Sequence, residues 1–279
     1  MKIGNINNTK TIMDRYNIKA KKKFGQNFLV DENTLRGIVK KANVNADDYI
    51  LEIGCGIGAL TQLLCEKARY VYAFEVDKSL KTYLETNLKY DNLELIFKDF
   101  LSTNLNDYLP YYKYKVVANL PYYITTPILF KILESSINFN ELYVMMQKEV
   151  GIRLKAVHGC KEYNALSIML QVNYDIEQVL NVSRNVFFPA PNVDSVVIKF
   201  IRINKYQINN YSFFSKFIHD CFRFKRKTLK NNLKEYNLVI LKTLFESEKY
   251  SLQSRAEQVD VESYVRIVNE YDRRVVNEK

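Results

Sequence analysis

The sequence predicts a mostly parallel α/β sheet with helices on both faces, followed by a small helical domain. Three observations carry this. Short apolar runs of strand length alternate with helical patterns up to about Ile203. A glycine-rich turn, Gly54-Cys55-Gly56-Ile57-Gly58, leaves the first run and opens a helix. Beyond Ile203 the strand signals stop and only helical spacing remains.

The elements follow in order. Residues 1–18 are polar and Asn-rich and read as loosely ordered. A lysine run, Lys19 to Lys23, then meets Phe24-Gly25-Gln26-Asn27-Phe28-Leu29. Such a run is either a solvated face or a phosphate contact, with Lys22 and Lys23 the candidates. The spacing of Leu35, Ile38, Val39 and Ala42 predicts a helix over 32–42, capped by Asp31.

Seven strand-like runs come next: 49–53, 71–76, 93–97, 115–118, 141–146, 174–182 and 195–203. The first five are short and apolar, as strands buried on both faces should be. Leu80, Tyr83, Leu84 and Leu88 form one helical stripe. Ile128, Leu129, Ile132 and Leu133 form another, in a helix begun by Thr126 with Pro127 at its first position. Helical patterns at 149–156 and 164–172 separate the fifth and sixth runs. No helix separates the last two runs, which are expected to pair antiparallel. Residues 211–233 read as one helix with Phe214, Phe217, Ile218, Cys221 and Phe222 on its apolar face. That helix turns basic at Arg223, Lys225, Arg226, Lys227 and Lys230. Two more helices, over 239–245 and 261–271, finish the chain. The expected division is a flexible segment over 1–20, an α/β domain over 21–205 and a helical domain over 206–279.

Composition narrows the function. Lysine and arginine outnumber acids 41 to 31, giving a net charge of +10, which favours a polyanionic partner. No apolar run is long enough to span a membrane, and the N-terminal lysines precede no secretory core. The four cysteines lack paired short spacing and read as reduced thiols of a cytoplasmic protein. The two histidines, His158 and His219, sit in no ligand-like cluster, so neither a metal site nor a Ser-His-Asp triad is expected.

The chemistry concentrates at strand ends. Asn119-Leu120-Pro121-Tyr122 follows the fourth apolar run. The Asn119 amide oxygen and the Leu120 carbonyl can both accept hydrogen bonds from one amino group. Pro121 restrains both, and Tyr122 offers a face for a planar ring. Alone, these four residues are equally an ordinary strand-to-loop turn. Gly54, Gly56 and Ala59 fit a dinucleotide-type turn, and Glu75 lies about twenty residues on, where an acid can bind ribose hydroxyls. A nicotinamide enzyme is a live alternative on these features. Asp99, closing the third run, could accept from an adenine amino group. Phe187 is either core or an aromatic wall.

In this order, these pieces resemble the ribosomal RNA adenine-N6,N6-dimethyltransferases, specifically their small-subunit branch. The similarity runs from about Lys21 to Val268. Lys23-Phe24-Gly25-Gln26-Asn27-Phe28-Leu29 is similar to the family's N-terminal motif, and Asn119-Leu120-Pro121-Tyr122-Tyr123-Ile124 to its catalytic motif. Phe187-Phe188-Pro189-Ala190-Pro191-Asn192-Val193-Asp194-Ser195 fits its F-x-P-x-P-x-V-D-S signature. Gln147-Lys148-Glu149-Val150 with Arg153, Arg226 to Leu233, and Arg255-Ala256-Glu257-Gln258 match further family segments.

The resemblance implies a Rossmann-like seven-stranded S-adenosylmethionine-dependent methyltransferase sheet with one reversed strand. It implies cofactor contacts from Asn27, Leu29, Gly54, Gly56, Glu75, Asp99 and Asn119. Catalysis would fall to Asn119, Leu120, Tyr122 and Phe187. RNA contacts would come from Lys22, Lys23, Arg223, Arg226, Lys227 and Lys230. The implied partner is 16S rRNA in the immature small subunit, met by a monomer without metal or membrane. The large-subunit sister branch usually carries isoleucine at the position of Leu120 and lacks the Arg-Lys-Thr-Leu run. An assembly factor that binds pre-subunits without needing catalysis is a compatible alternative. Two departures stand out: the family usually has proline where this chain has Cys55, and often Gly-Arg where it has Asn164-Ala165.

Overall fold

The computed structural model describes residues 3–21 and 24–277. Lys22 and Lys23, two expected phosphate contacts, lie outside the described residues. Two compact units are present, residues 1–151 with 176–202 and residues 152–175 with 203–279. Residues 152–175, on the α/β side of the boundary expected at 205/206, therefore group with the C-terminal segment.

The first unit begins with helix α1 (Ile6–Arg15). The sequence reading left this region loosely ordered. Asn5 caps the helix by accepting from Asn8 N, and Thr9 and Ile12 are buried on its inner face. Asparagine is a modest helix former but a strong N-cap, so a polar composition concealed an amphipathic helix. Strand β1 (Phe28–Leu29) and helix α2 (Glu32–Lys41) follow. Asp31 caps α2 through Thr34 N, as expected.

The sheet is then built from β2 (Tyr49–Ile53), helix α3 (Ala59–Cys65), β3 (Tyr70–Phe74), helix α4 (Lys81–Asn87), β4 (Leu93–Ile96) and β5 (Lys113–Asn119). Helix α5 (Thr125–Glu134) starts one residue before the expected Thr126, putting Pro127 at its third position. Proline is accommodated there because first-turn N–H groups have no intrahelical acceptor. The Thr125 hydroxyl donates back to Pro121 O at 3.2 Å, tying the helix start to the preceding turn. Next come β6 (Asn138–Gln147), α6 (Lys148–Leu154), α7 (Ala165–Gln171), β7 (Tyr174–Val182), β8 (Phe187–Phe188) and β9 (Ser195–Arg202).

The seven-stranded sheet has the order β4-β3-β2-β5-β6-β9-β7. Strands β4, β3, β2, β5 and β6 pair in parallel, and β9 runs antiparallel to β6. The expected reversed strand is thus β9. Ile50, Leu51, Val71, Ala73, Val116, Val117, Leu142 and Val144 are all fully buried, which is why these strands read as unbroken apolar runs. From β2 the order steps to β3 on one side and to β5 on the other. That reversal opens a crevice at the carboxyl ends of the strands. A second ladder, unforeseen from sequence, pairs Phe28 with Phe188 and Leu29 with Phe187.

The second unit is helical: α7, already placed, with α8 (Tyr211–Cys221), α9 (Leu229–Asn232), α10 (Leu238–Ser247) and α11 (Val261–Asn277). Phe214, Phe217, Ile218 and Cys221 face its core with Leu229, Leu241, Phe245 and Tyr264. The helix expected over 211–233 is broken after Cys221. Buried Asn232 is the physical reason. Its Nδ2 donates to Cys221 O at 2.6 Å and to Phe224 O at 3.4 Å, and its Oδ1 accepts from Phe224 N at 3.1 Å. These bonds hold the chain in a loop against its helical spacing. The basic residues Arg223, Lys225, Arg226 and Lys227 therefore stand on that loop, and Lys230 on α9, all exposed.

Candidate active site

The crevice beside β2 holds a cavity lined by the N-terminal loop from Phe24 to Leu29, the glycine turn, Glu52, Glu75 and Asn119 to Tyr122. Each group arrives from a strand's carboxyl end or from the loop above it. Of the residues singled out from sequence, Asn27, Leu29, Gly54, Gly56, Glu75, Asn119, Leu120 and Tyr122 meet there.

Two glycines make the approach possible. Gly54 has φ +79°, and its N–H donates to Phe74 O at 2.8 Å. A Cβ at Gly54 would sit 3.4 Å from the Pro121 ring, ordinary contact, so it is the left-handed φ rather than space that calls for glycine there. Gly56 has φ +56°, and a Cβ there would meet the Phe28 ring at 3.2 Å. Its N–H donates to Glu75 Oε2 at 2.8 Å. Glu75 Oε1 accepts from Asp77 N, also at 2.8 Å. A carboxylate has about four acceptor positions, so two remain for a ligand's hydroxyls. Burial pushes the Glu75 carboxyl up, while the N–H groups of Asp77 and Gly56 oppose the rise.

Glu52, near the end of β2, lines the same cavity and was not singled out from sequence. It is 1% exposed, and its Oε2 has no hydrogen-bond partner among the described residues. Desolvation, with the Glu75 charge adding, pushes its carboxyl up to about 8. Thr61 beside it opposes the rise without cancelling it, and a buried carboxyl with one oxygen unpartnered on the cavity wall is suited to a cationic group, which would restore its ordinary ionisation.

Asn119 is half-buried, and its Nδ2 donates to Asn27 O across a long 3.5 Å contact. Leu120 N donates to Met145 O at 3.0 Å, which fixes the peptide that follows Asn119. Asn119 and Leu120 both line the cavity, and each carries an acceptor there, a side-chain Oδ1 and a backbone carbonyl. The Tyr122 hydroxyl and Ser195 Oγ share a 2.5 Å hydrogen bond, which holds the ring's edge and leaves its faces to stack. Burial pushes the Tyr122 phenol up, so it stays protonated at neutral pH.

Phe187 and Asp99 stand apart from this group. Phe187 is 3% exposed in β8, opposite Leu29, and is not on the cavity wall. Asp99 is exposed in the turn after β4, where its Oδ1 accepts from Leu101 N at 2.9 Å.

A network missed by sequence reasoning fastens the N-terminal loop. Asp77 is 3% exposed and accepts from Lys21 Nζ at 2.6 Å, Gln26 Nε2 at 2.9 Å, Ser79 Oγ at 2.7 Å and Ser79 N at 3.0 Å. Gln26 Oε1 in turn accepts from Lys21 N at 2.8 Å. Gln26 stood in a quoted motif and Asp77 lies two residues after Glu75. Their contact spans about fifty positions, and no local pattern announces it.

Cys55 N donates to Phe74 O at 3.2 Å, beside the shorter bond from Gly54. Burial drives its thiol well above the ordinary range, so it is inert. Proline at 55 removes only the longer of two N–H bonds to one carbonyl. Cys55→Pro is therefore expected to keep methyl transfer within about tenfold in a steady-state assay; a larger loss would show that the turn depends on that N–H. Among the described residues no cluster of three His, Cys, Asp or Glu side chains could hold a metal, and no helix is long and apolar enough to cross a membrane.

Comparison with known proteins follows the same line. Residues 17–273 match the family model described as ribosomal RNA adenine dimethylase. Curated relatives include a ribosomal RNA small subunit methyltransferase A of Lactobacillus helveticus, 44% identical over 83% of this chain and 84% of the relative. The protein of that name from Lactococcus lactis is 43% identical over 96% and 95%. A dimethyladenosine transferase from Plasmodium falciparum superposes with a TM-score of 0.72 at 26% identity, covering 89% of this chain and 98% of that one. The fold is shared with the 23S rRNA methyltransferase ErmE, with a TM-score of 0.66 at 24% identity over 88% of this chain and all of the other. With a family match over nearly its whole length and relatives of this identity and coverage, the chain belongs to the ribosomal RNA adenine dimethylase family.

Proposed function

We propose that this chain transfers methyl groups from S-adenosylmethionine to the N6 amino groups of two adjacent adenosines. These lie in the 3′-terminal hairpin loop of 16S rRNA in the maturing small subunit, which places the protein in the cytoplasm. The observation that carries the reading is the meeting of Asn119 and Leu120, each with an acceptor, with the glycine turn, Glu52 and Glu75 in the lining of one cavity. The residues present suit the cofactor. Glu75 has acceptor capacity for ribose hydroxyls, the glycine turn leaves room where side chains would intrude, and Glu52 has an orphaned oxygen for a cationic tail. Asp99 Oδ2 is assigned the cofactor's adenine amine, and Asn27 and Leu29 the methionine end. Bound there, S-adenosylmethionine supplies an electrophilic methyl group.

The chain's own work is to make a poor nucleophile react. An adenine amine has its lone pair delocalised into the ring. Acceptors at Asn119 Oδ1 and Leu120 O hold its two N–H bonds so that nitrogen becomes pyramidal and the lone pair points along the transfer line. No strong base is needed, because the alkylated nitrogen becomes acidic and loses its proton to water. Tyr122, fixed by Ser195, stacks on one face of the swung-out base, while Phe187, buried off the cavity wall, supports the site only through its pairing with Leu29. A monomethylated amine keeps one N–H, so the second transfer uses one acceptor of the two. The leucine at 120 favours the small-subunit substrate over the large-subunit one.

The test is methylation of immature small subunits followed by mapping of dimethyladenosine; failure to modify adjacent adenosines of that loop would overturn the assignment. Arg223, Arg226, Lys227 and Lys230 are assigned to phosphates, and all four are exposed. Replacing Arg226 and Lys227 together by alanine is expected to lower the slope of log affinity against log salt by about 1–2. An unchanged slope would make this face an ordinary solvated surface.

A further inference from the structure

Phosphate contacts position an RNA but read nothing, and the basic loop carries one residue that phosphate binding does not use. Phe224 lies between Arg223 and Lys225 and is 54% exposed. Burying a ring of this size is ordinarily worth about 1.5–3 kcal/mol, so leaving it in water forgoes that stabilisation. The ring is not on a slack tether. Phe224 N donates to Asn232 Oδ1 at 3.1 Å, and Phe224 O accepts from Lys227 N at 2.9 Å and from Asn232 Nδ2 at 3.4 Å. Asn232 is itself 7% exposed and anchored to Cys221 O. Both backbone groups of Phe224 are therefore fastened to the core of the second unit, and the side chain projects from a fixed base. The Arg223 guanidinium lies 5.9 Å from the ring centroid. No acid occurs from Arg223 to Lys230; Arg223 itself pairs with Glu235 at 3.9 Å and feels the Asp220 charge.

We propose that Phe224 is a stacking platform for an unpaired nucleobase of the RNA, set among the cations that hold the flanking phosphates. This rests on the rRNA reading above and adds a base contact to it. A cationic rim of this density is a poor seat for an apolar protein surface, but it suits a polyanion whose bases carry π-faces. Stacking of this kind tolerates any base, so Phe224 would hold a strand or loop in place while Asn119 and Leu120 select the amine.

The experiment measures affinity of the full-length protein for immature small subunits over a series of salt concentrations. Phe224→Ala is expected to bind about 5- to 100-fold more weakly with the salt slope unchanged, since no phosphate contact is lost. Phe224→Trp should restore binding, and Phe224→Leu should not. The ring is exposed, so the melting temperature of all three should match the parent's. Affinity of Phe224→Ala within twofold of the parent's, or full rescue by leucine, would overturn the stacking role. So would Phe224-dependent binding to anionic vesicles without any effect on subunits. Failure of the parent protein to bind subunits would instead count against the rRNA reading itself.

Discussion

Asn119→Ala is expected to lose methyl transfer by about 100- to 1000-fold, the range seen when one preorganised hydrogen-bonding group is removed from a transition state. Binding of S-adenosylhomocysteine should stay within a few-fold. The asymmetry follows from the geometry. Asn119 stands at the end of β5, and its amide nitrogen donates to Asn27 O across a weak 3.5 Å. The cofactor's other assigned partners, the glycine turn and Glu75, hold one another through the Gly56 N–H bond and do not depend on this side chain. What alanine would remove is the acceptor assigned to one amine hydrogen. Leu120 O remains, since it is backbone, so a residual rate is expected. Single-turnover methylation with saturating cofactor, alongside calorimetric binding, separates the two effects. Unchanged turnover would remove Asn119 from the chemistry, and a parallel collapse of cofactor affinity would make it a structural residue.

How much of this was legible in the sequence depends on the range of the contact. The four central strands β3, β2, β5 and β6 were readable because both their faces are buried, and each wrote itself as an apolar run, whereas β4, at the sheet edge, keeps Glu94 exposed. Gly54, Glu75 and Asn119 were readable because a parallel sheet places functional groups at strand ends, so position along the chain stands in for position in space. Where tertiary contacts overrode local pattern, the reading failed. Asn232 reaches back to Cys221 and Phe224 and breaks a helix whose spacing is otherwise sound. The Phe28–Leu29 and Phe187–Phe188 ladder is two residues long, too short for any period to show. The polar surface of α1 hid the burial of Thr9 and Ile12. Asp77 follows an acid already assigned to ribose, and nothing local marks it as the fastening of a loop some fifty residues earlier.

That fastening carries the second large effect. Asp77→Asn is expected to weaken S-adenosylhomocysteine binding by roughly 10- to 100-fold while leaving the maximal rate within a few-fold. The loop from Phe24 to Leu29 forms one wall of the cavity; its start is tied through Lys21 and Gln26 to this carboxylate, with Lys21 also donating to Ser79 Oγ at 2.7 Å, and its end is paired with β8. Hydrogen bonds to a charged group contribute about 1.5–3 kcal/mol. If they are lost, ordering the loop must be driven by the ligand, and apparent affinity falls by the fraction of molecules with the loop in place. Asparagine keeps a comparable volume and one acceptor but surrenders the charge that Lys21 answers at 2.6 Å. Lys21→Met should act in the same direction, and the double variant should lose less than the sum of the two, because the Lys21–Asp77 bond is common to both while Lys21–Ser79 and Gln26–Asp77 are not. The sign with pH also follows. Burial alone would raise the Asp77 carboxyl, but bonds from Lys21, Ser79 and Gln26 outweigh it and hold the group below its ordinary value. The latch therefore contributes fully above the unfolded-state carboxyl range and fades only as pH falls through the lower folded value. At neutral pH it is fully engaged. Parent-like affinity in folded Asp77→Asn, or strict additivity of the two substitutions, would mean that the loop is held by its own packing on Phe28 and Leu29 instead.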